Sequence, residues 1–423
     1  MDRSMRLPAA CGVDATPWPV SLARMLRWHR VIMRILITDG NERVALAAAR
    51  SLVRAGHTVC VTAPTLASLA GVSRGVRPRA LATDSLSDPG AYAAEVGRIA
   101  REEGTDVLLP MTDPSVEAVL EHRAALPSEV AVPFPELSTY HAASDKAHVL
   151  ALARASGFDV PETRIIATAG ECDGALSDPA FFPAVIKPHR SVVTVAGMRR
   201  KVGVTLTADP VACRRGLGAL PSAAFPVLLQ RQVAGIGEGF FALRWGGRTV
   251  AMFAHRRLRE KPPAGGVSVY RESIPLDEAL VGPGLRLLEA LNWQGVAMVE
   301  CKREDITGRQ VIMEVNGRFW GSLQLAIDAG VDFPSLLVRC AAGETVPECR
   351  RYRVGVRSRW FWGDVDHLYL RFRDTGEGSR LKALLDFLRV HPGRDRSEVW
   401  RWGDPAPFVV ETLQWLGMLP ARV

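Results

Sequence analysis

The sequence predicts an α/β protein: a Rossmann-like parallel-sheet domain near the N-terminus, a mixed α+β region after it, and a mostly helical C-terminal extension. Three observations lead there. Short apolar strands alternate with amphipathic helices from Arg34 to about residue 135. Farther on, strand-like runs such as "PAVIKP" and "FPVLLQ" lead into two alternating strands, "GVAMVECKR" and "RQVIMEVNG", joined by a turn over Asp305–Gly308. Residues 346–423 are aromatic, basic and helical in period.

At 423 residues the chain exceeds one ordinary core, so two or three domains are expected. With 48% apolar and 23% charged residues the composition is that of a soluble globular protein. No apolar run approaches the roughly 20 residues needed to span a bilayer. The net charge of +8 is concentrated at the ends, with five Arg against two Asp in residues 1–32 and 14 Lys+Arg against 10 Asp+Glu in residues 346–423. The body between is nearly neutral, which disfavours a nucleic-acid groove. Seven scattered cysteines without CxxC spacing point to reduced thiols and a cytoplasmic protein.

Residues 1–32 read as a disordered or accessory extension, with a short amphipathic helix over Ser21–Arg30. From Arg34, "RILITD", "TVCVTA", "PRALAT", "TDVLLPM" and "VAVPFP" are strands, with a break between the second and third and a helix in each other interval; parallel sheet and right-handed crossovers follow. Only Gly40 follows the first strand, so a GxGxxG dinucleotide site is absent. Asp39, Asn41, Thr112 and Asp113 fall at strand ends, where they either line a crevice or serve as caps and turns. "STYHAASDKAHVLALARASG" is helical, with Lys146 early in it. Lys187 ends the apolar strand "PAVIK" and needs an anionic partner there. "SVVTVAGMRRKVGVTL" reads as a flexible loop with three adjacent cations, and "AHRRLREKPPAGGVSVYRES" as a mobile flap whose Pro and Gly residues exclude a helix.

The chemistry is written in Asn292–Pro334. Glu314 and Asn316 are two apart on one strand and so share a face, Arg318 follows two further on, and Glu300 lies on the partner strand. Two carboxylates and an amide oxygen suit Mg²⁺ held together with substrate phosphates. Glu300, Glu314, Asn316 and Arg318, followed by "FWGS", resemble the metal-binding end of the ATP-grasp ligases. "SDKAHVLALARASGFDVPET" resembles that family's phosphate-reaching helix and "PAVIKP" its second lysine motif.

The resemblance covers roughly residues 33–345 and implies a Rossmann-like domain over 33–140, a two-subdomain ATP-grasp fold over 141–345 and a C-terminal extension over 346–423. It implies ATP and two Mg²⁺, with Mn²⁺ able to substitute, held by Glu300, Glu314 and Asn316. Lys146, Lys187 and Arg318 then stabilise the transferring phosphate. Gln230, Arg231 and Val233 map to the hinge that pairs with adenine, and Glu238 maps to the ribose carboxylate. His255, Arg256, Lys261, Gly265 and Gly266 of the flap, with Ser322 and Gln324, are the candidate substrate contacts.

The implied reaction joins a small-molecule carboxylate to an amine through an acyl phosphate. Activation of bicarbonate, as in carbamoyl-phosphate synthases or biotin carboxylases, is the alternative, weakened by the lack of a duplicated half or biotin-carrier segment. A nucleotide-binding regulatory module is the third reading. The C-terminal piece is read as a cap, a homodimer contact or another partner surface.

Overall fold

Four strands of the N-terminal region, β1 (Arg34–Ile37), β2 (Thr58–Ala63), β3 (Val76–Ala80) and β4 (Val107–Leu109), pair in parallel in the order β3-β2-β1-β4. β1, β2 and β4 are almost wholly buried, as expected of strands covered by helices on both faces. The computed structural model describes residues 32–195, 197–373 and 380–419. The expected N-terminal extension and its helix lie outside those residues.

The helices between these strands have local causes. Asp88 caps the helix Pro89–Glu103 through Ala91 N, and Gly104, at φ +59°, closes it. Thr112 and Ser115 form a capping box at the start of Asp113–Glu121. The expected strand "VAVPFP" contributes only an isolated bridge between Ala131 and Val107.

A second sheet is antiparallel, ordered β5-β10-β6-β9, from β5 (Thr163–Ile166), β6 (Ala184–Pro188), β9 (Thr205–Thr207) and β10 (Val227–Arg231). Between β6 and β9 the run expected to be a loop is instead a hairpin, β7 (Val192–Val195) with β8 (Met198–Lys201). Three valines in four residues favour extended backbone there. The helix expected around Lys146 is two helices, Leu137–Ser144 and Lys146–Ala155, split at Asp145, which caps the second through His148 N.

The largest sheet has seven strands, β11 (Gly235–Trp245), β12 (Arg248–Lys261), β13 (Val267–Ser273), β14 (Gly295–Glu304), β15 (Gln310–Asn316), β16 (Arg357–Arg359) and β17 (Asp395–Ser397), ordered β15-β14-β11-β12-β13-β16-β17. The C-terminal residues therefore carry helices, Phe361–Arg373, Arg380–Leu388 and Ala406–Trp415, and also two strands that extend this sheet. Residues from Met33 onward form one compact unit. One continuous core joins Ile35 and Leu52 of the first layer to Phe241, Trp320, Phe333 and the C-terminal Val399.

Glu411, on the helix Ala406–Trp415, is buried with Oε1 accepting from Trp360 Nε1 at 2.8 Å and Oε2 unpartnered. Burial pushes its carboxyl up to about 7 from an ordinary 4.5. The folded chain thus holds this proton more tightly than the unfolded chain, and the associated stability is full below about pH 4.5 and lost as pH rises through about 7. Glu411→Gln is expected to raise stability by about 2 kcal/mol at pH 8, a gain of roughly 3 °C in Tm, and to change little at pH 4.5. Equal shifts at both pH values in thermal melts would contradict this.

Candidate active site

The β14–β15 hairpin sets the site. Glu300 and Glu314 are direct cross-strand partners, as are Met298 and Asn316, with a bulge after Glu300. Like charges opposite one another are unfavourable in a sheet, so each carboxylate needs cations. Arg257 Nη2 lies 2.6 Å from Glu300 Oε2. Glu314 accepts from Asn316 Nδ2 at 3.0 Å. Burial would raise the Glu314 carboxyl, yet Lys146 and Lys187 outweigh it and hold it below the ordinary range. Burial raises Glu300 instead, against the pull of Arg257 and with the push of Glu314. Burial also lowers the Lys187 ammonium, opposed by Glu314 and Glu300.

Arg318 leaves the end of this hairpin and meets the first layer. Its Nε and Nη2 each lie 2.9 Å from the two oxygens of Asp113, and Tyr140 OH donates to the same carboxylate at 2.9 Å. Burial alone would raise the Asp113 carboxyl, but Arg318 keeps it below the usual range. The intervening Gly317 has no room for a side chain: a Cβ there would stand 2.3 Å from the Trp293 ring.

Two cavities meet at Glu314 and Asn316. The first is lined by Lys146, whose Nζ is 3.4 Å from Ser191 Oγ, together with Asp113, Glu117 and Arg190. The second has a volume of about 280 Å³ and is lined by Arg43, His255, Arg257, Gly266, Ser268 and Arg271, and by Glu300, Arg318, Trp320 and Ser322. An aromatic wall stands behind it, with the Phe241 ring 4.7 Å from His255 and 4.3 Å from Trp320. Arg257 links the flap to the carboxylates, since its Nη1 also donates to Glu260 at 2.9 Å and to the Gly266 carbonyl at 3.2 Å.

Comparison with known proteins locates this arrangement. A family model described as ATP-grasp in the biosynthetic pathway with Ter operon matches residues 242–362, the stretch that holds both carboxylates, Arg318 and most of the second cavity's lining. Among solved structures the chain resembles the L-amino acid ligase from Bacillus licheniformis (16% identity, 74% of this chain and 75% of that one, TM-score 0.57). It also resembles the N5-carboxyaminoimidazole synthetase from Staphylococcus aureus (13% identity, 82% and 87%, TM-score 0.59). A third is the biotin carboxylase domain dimer of the Hydrogenobacter thermophilus 2-oxoglutarate carboxylase in complex with MgADP, ADP and bicarbonate (14% identity, 78% and 74%, TM-score 0.60). The chain has the ATP-grasp fold. No curated protein matches its sequence.

In this ATP-grasp fold, Lys146, Glu300, Glu314, Asn316 and Arg318 gather around the two cavities, and His255, Gly266 and Ser322 line the second. Lys187 is close enough to feel both glutamates. Asp113 lines the first cavity, and the remaining sequence candidates line neither. Gln230 is buried and donates to Thr163 Oγ1 at 3.1 Å, and exposed Arg231 pairs with Glu162 at 2.9 Å. The Val233 carbonyl accepts from Lys302 Nζ at 2.9 Å. Glu238 is held by Arg303 at 3.0 Å and by Gln310 at 2.6 Å.

Several expected substrate contacts have other partners within the protein. Arg256 turns to Glu272 on β13 at 2.6 Å, so the cavity arginine is its neighbour Arg257. Lys261 pairs with Asp366 of the C-terminal helix, and Gln324 donates to Asp328 at 3.0 Å one helical turn on. Gly265, at φ +127°, shapes the flap turn outside the cavity. Of the strand-end residues, Asp39 ties Met111 N, Thr112 and Ser115 together, Asn41 accepts from Leu69 N at 3.4 Å, and Thr112 is a cap. Arg43, Ser268 and Arg271 were not legible as site residues. Only the alternation around Arg271, which sets it on the same strand face as Val269, gave any local signal.

The donor set fits a hard divalent cation. Among the described residues no cluster of three or more His, Cys, Asp or Glu side chains is arranged to hold a metal ion alone. Glu300, Glu314 and Asn316 offer two carboxylates and an amide oxygen, a set that Mg²⁺ completes with phosphate oxygens and water. Glu300 can be released for this role because Arg257 keeps Glu260 as a second carboxylate.

Proposed function

We propose that the chain is an ATP-dependent ligase that activates a small-molecule carboxylate as an acyl phosphate and joins it to an amine, releasing ADP and phosphate. The observation that carries this is the convergence of Glu300, Glu314, Asn316, Lys146 and Arg318 where two cavities meet. One cavity offers cations to a triphosphate and the other offers a chamber for an acid. Bound Mg²⁺, with Mn²⁺ as substitute, would supply neutralisation of phosphate charge at Glu300, Glu314 and Asn316.

A carboxylate is a poor electrophile, so it must first acquire a leaving group. Its oxygen attacks the γ-phosphorus and the bond to the β-phosphate oxygen breaks, giving ADP. The amine then attacks the acyl carbon, phosphate departs, and the amine proton passes to solvent or phosphate. Lys146 and Lys187 hold positive charge beside the phosphates, and Arg318, locked by Asp113 in a two-point pair, keeps its guanidinium oriented before substrate arrives. Such preorganisation is the main catalytic resource in phosphoryl transfer. The Pro262–Gly266 turn of the flap excludes water that would otherwise hydrolyse the acyl phosphate.

At about 280 Å³ the second cavity is near the lower end of small-molecule sites and suits a small organic acid better than bicarbonate alone. The six described cysteines are all free, which suits the reducing cytoplasm. Among the described residues no helix is long and apolar enough to cross a membrane. ADP release should be measured with carboxylic acids crossed against amines and ammonia. ADP formation that requires a particular acid and amine together supports the ligase; ADP formation with bicarbonate alone supports the carboxylase-like reading; nucleotide binding without turnover on any acid overturns both.

A further inference from the structure

The second cavity contains more buried hydrogen-bonding capacity than the reaction at its carboxylate end uses. Ser268 Oγ, Arg271 Nε, Trp320 Nε1 and both ring nitrogens of His255 have no partner within the protein. All four residues are more than nine-tenths buried, and all four line this one cavity. Buried polar groups are nearly always satisfied, and several orphans together mark a place where something else supplies the partners. The guanidinium and indole nitrogens can only donate. The missing partner is therefore rich in acceptors.

The charge around them has the same sense. Arg271 and Arg43 share a single carboxylate, Glu398, which approaches both. Two guanidiniums and one carboxylate leave positive charge beside the cavity while Glu411, the other acid acting on Arg43, stays protonated up to about pH 7. His255 is neutral, because burial and the neighbouring Arg257 and Arg271 push its imidazole well below the ordinary range, so it adds hydrogen bonds without opposing charge.

Two of the four residues stand apart from Glu300 across the sheet. Ser268 and Arg271 stand on β13, while Glu300 stands on β14, with β11 and β12 between them. Three strand spacings are roughly 14 Å, and the side chains from both sides line the same cavity. We propose that the acid activated by this protein carries a second anionic group, carboxylate or phosphoryl, received by Ser268, Arg271, Trp320 and His255 while its reacting carboxylate lies at Glu314 and Arg318. This deepens the ligase reading and rests on it for the identity of the reacting end.

The test compares isosteric acids. With ATP, Mg²⁺ and an amine held constant, succinate and glutarate are expected to show KM values at least about tenfold below those of butyrate and valerate. Phosphonoacetate in the same assay distinguishes a phosphoryl from a carboxylate second group. Ser268→Ala removes one hydrogen-bonding group with little change of shape, and Trp320→Phe removes the indole N–H while keeping an aromatic ring against Phe241 and Phe333. Each should shrink the butyrate-to-succinate KM ratio by about tenfold. Equal KM values for matched acids in the wild type, or an unchanged ratio in both variants, would overturn the proposal while leaving the ligase standing. If no acid yields ADP, the ligase reading fails, and thermal melts still decide the second-anion site. Succinate or phosphonoacetate should raise the wild-type Tm more than butyrate does, with that difference lost in Trp320→Phe. Equal shifts refute the site.

Discussion

Glu314→Gln is expected to lower the rate of ADP formation by at least about 100-fold while the protein remains folded. The exchange removes the charge that faces Lys146, Lys187 and the phosphate end of the cleft, but keeps an oxygen to accept from Asn316 Nδ2. It also relieves the repulsion of two carboxylates paired directly across the β14–β15 ladder. That relief is smaller than what is lost, since Lys146 and Lys187 favour the charged Glu314 and buried Lys187 loses a counter-charge, so folding stability should fall modestly. A coupled ADP assay read beside a thermal melt separates the two effects. Near-normal kcat in the folded variant would sink the assignment of Glu314 to phosphate and metal chemistry.

Arg318→Met should cost both rate and stability, for different reasons. The rate is expected to fall about 100-fold or more, because no other guanidinium is held at that point by two hydrogen bonds. Stability is expected to fall by about 2 kcal/mol, because Asp113 is left with Tyr140 alone. Adding Asp113→Asn discharges the orphaned carboxylate. The double variant should regain most of the stability and none of the rate. If rate and stability recover together, Arg318 acts by holding the layers in place and not on the transferring phosphate. If nucleotide binding falls as much as kcat, its role is ground-state binding.

The part of the fold that repeats locally was readable in advance. The parallel layer follows from "RILI" and "TVCVTA", and the hairpin from residues 295–316 follows from its alternation, so Glu300, Glu314 and Asn316 could be set on one surface from spacing alone. What failed did so where spacing stops being informative. Arg256 and Arg257 are neighbours on β12, and which of them faces the cavity depends on a register that shifts just after Arg257. A displacement of one residue exchanges the faces of a strand. Asp113 could equally line the crevice or serve as a cap, and nothing local tied it to Arg318, 205 residues away, a distance no periodicity reports. Glu238 looked free for a ligand because Arg303 and Gln310 reach it from two other strands. Arg43 and Glu398 are separated by 355 positions, and their contact exists only once the last strands have joined the sheet.

That last contact reaches beyond the site. Glu398 anchors one arginine from the first helix of the parallel layer and one from β13, and β16 and β17 cover what would be a bare sheet margin. A minimal version trimmed to the 242–362 segment, or cut after residue 345, would lose the Glu398 carboxylate that pairs with two arginines of the second cavity and expose a strand ready to pair with another molecule. Anyone shortening this protein for biochemistry should expect clumping and lost acid selectivity together, since the same tail guards against both.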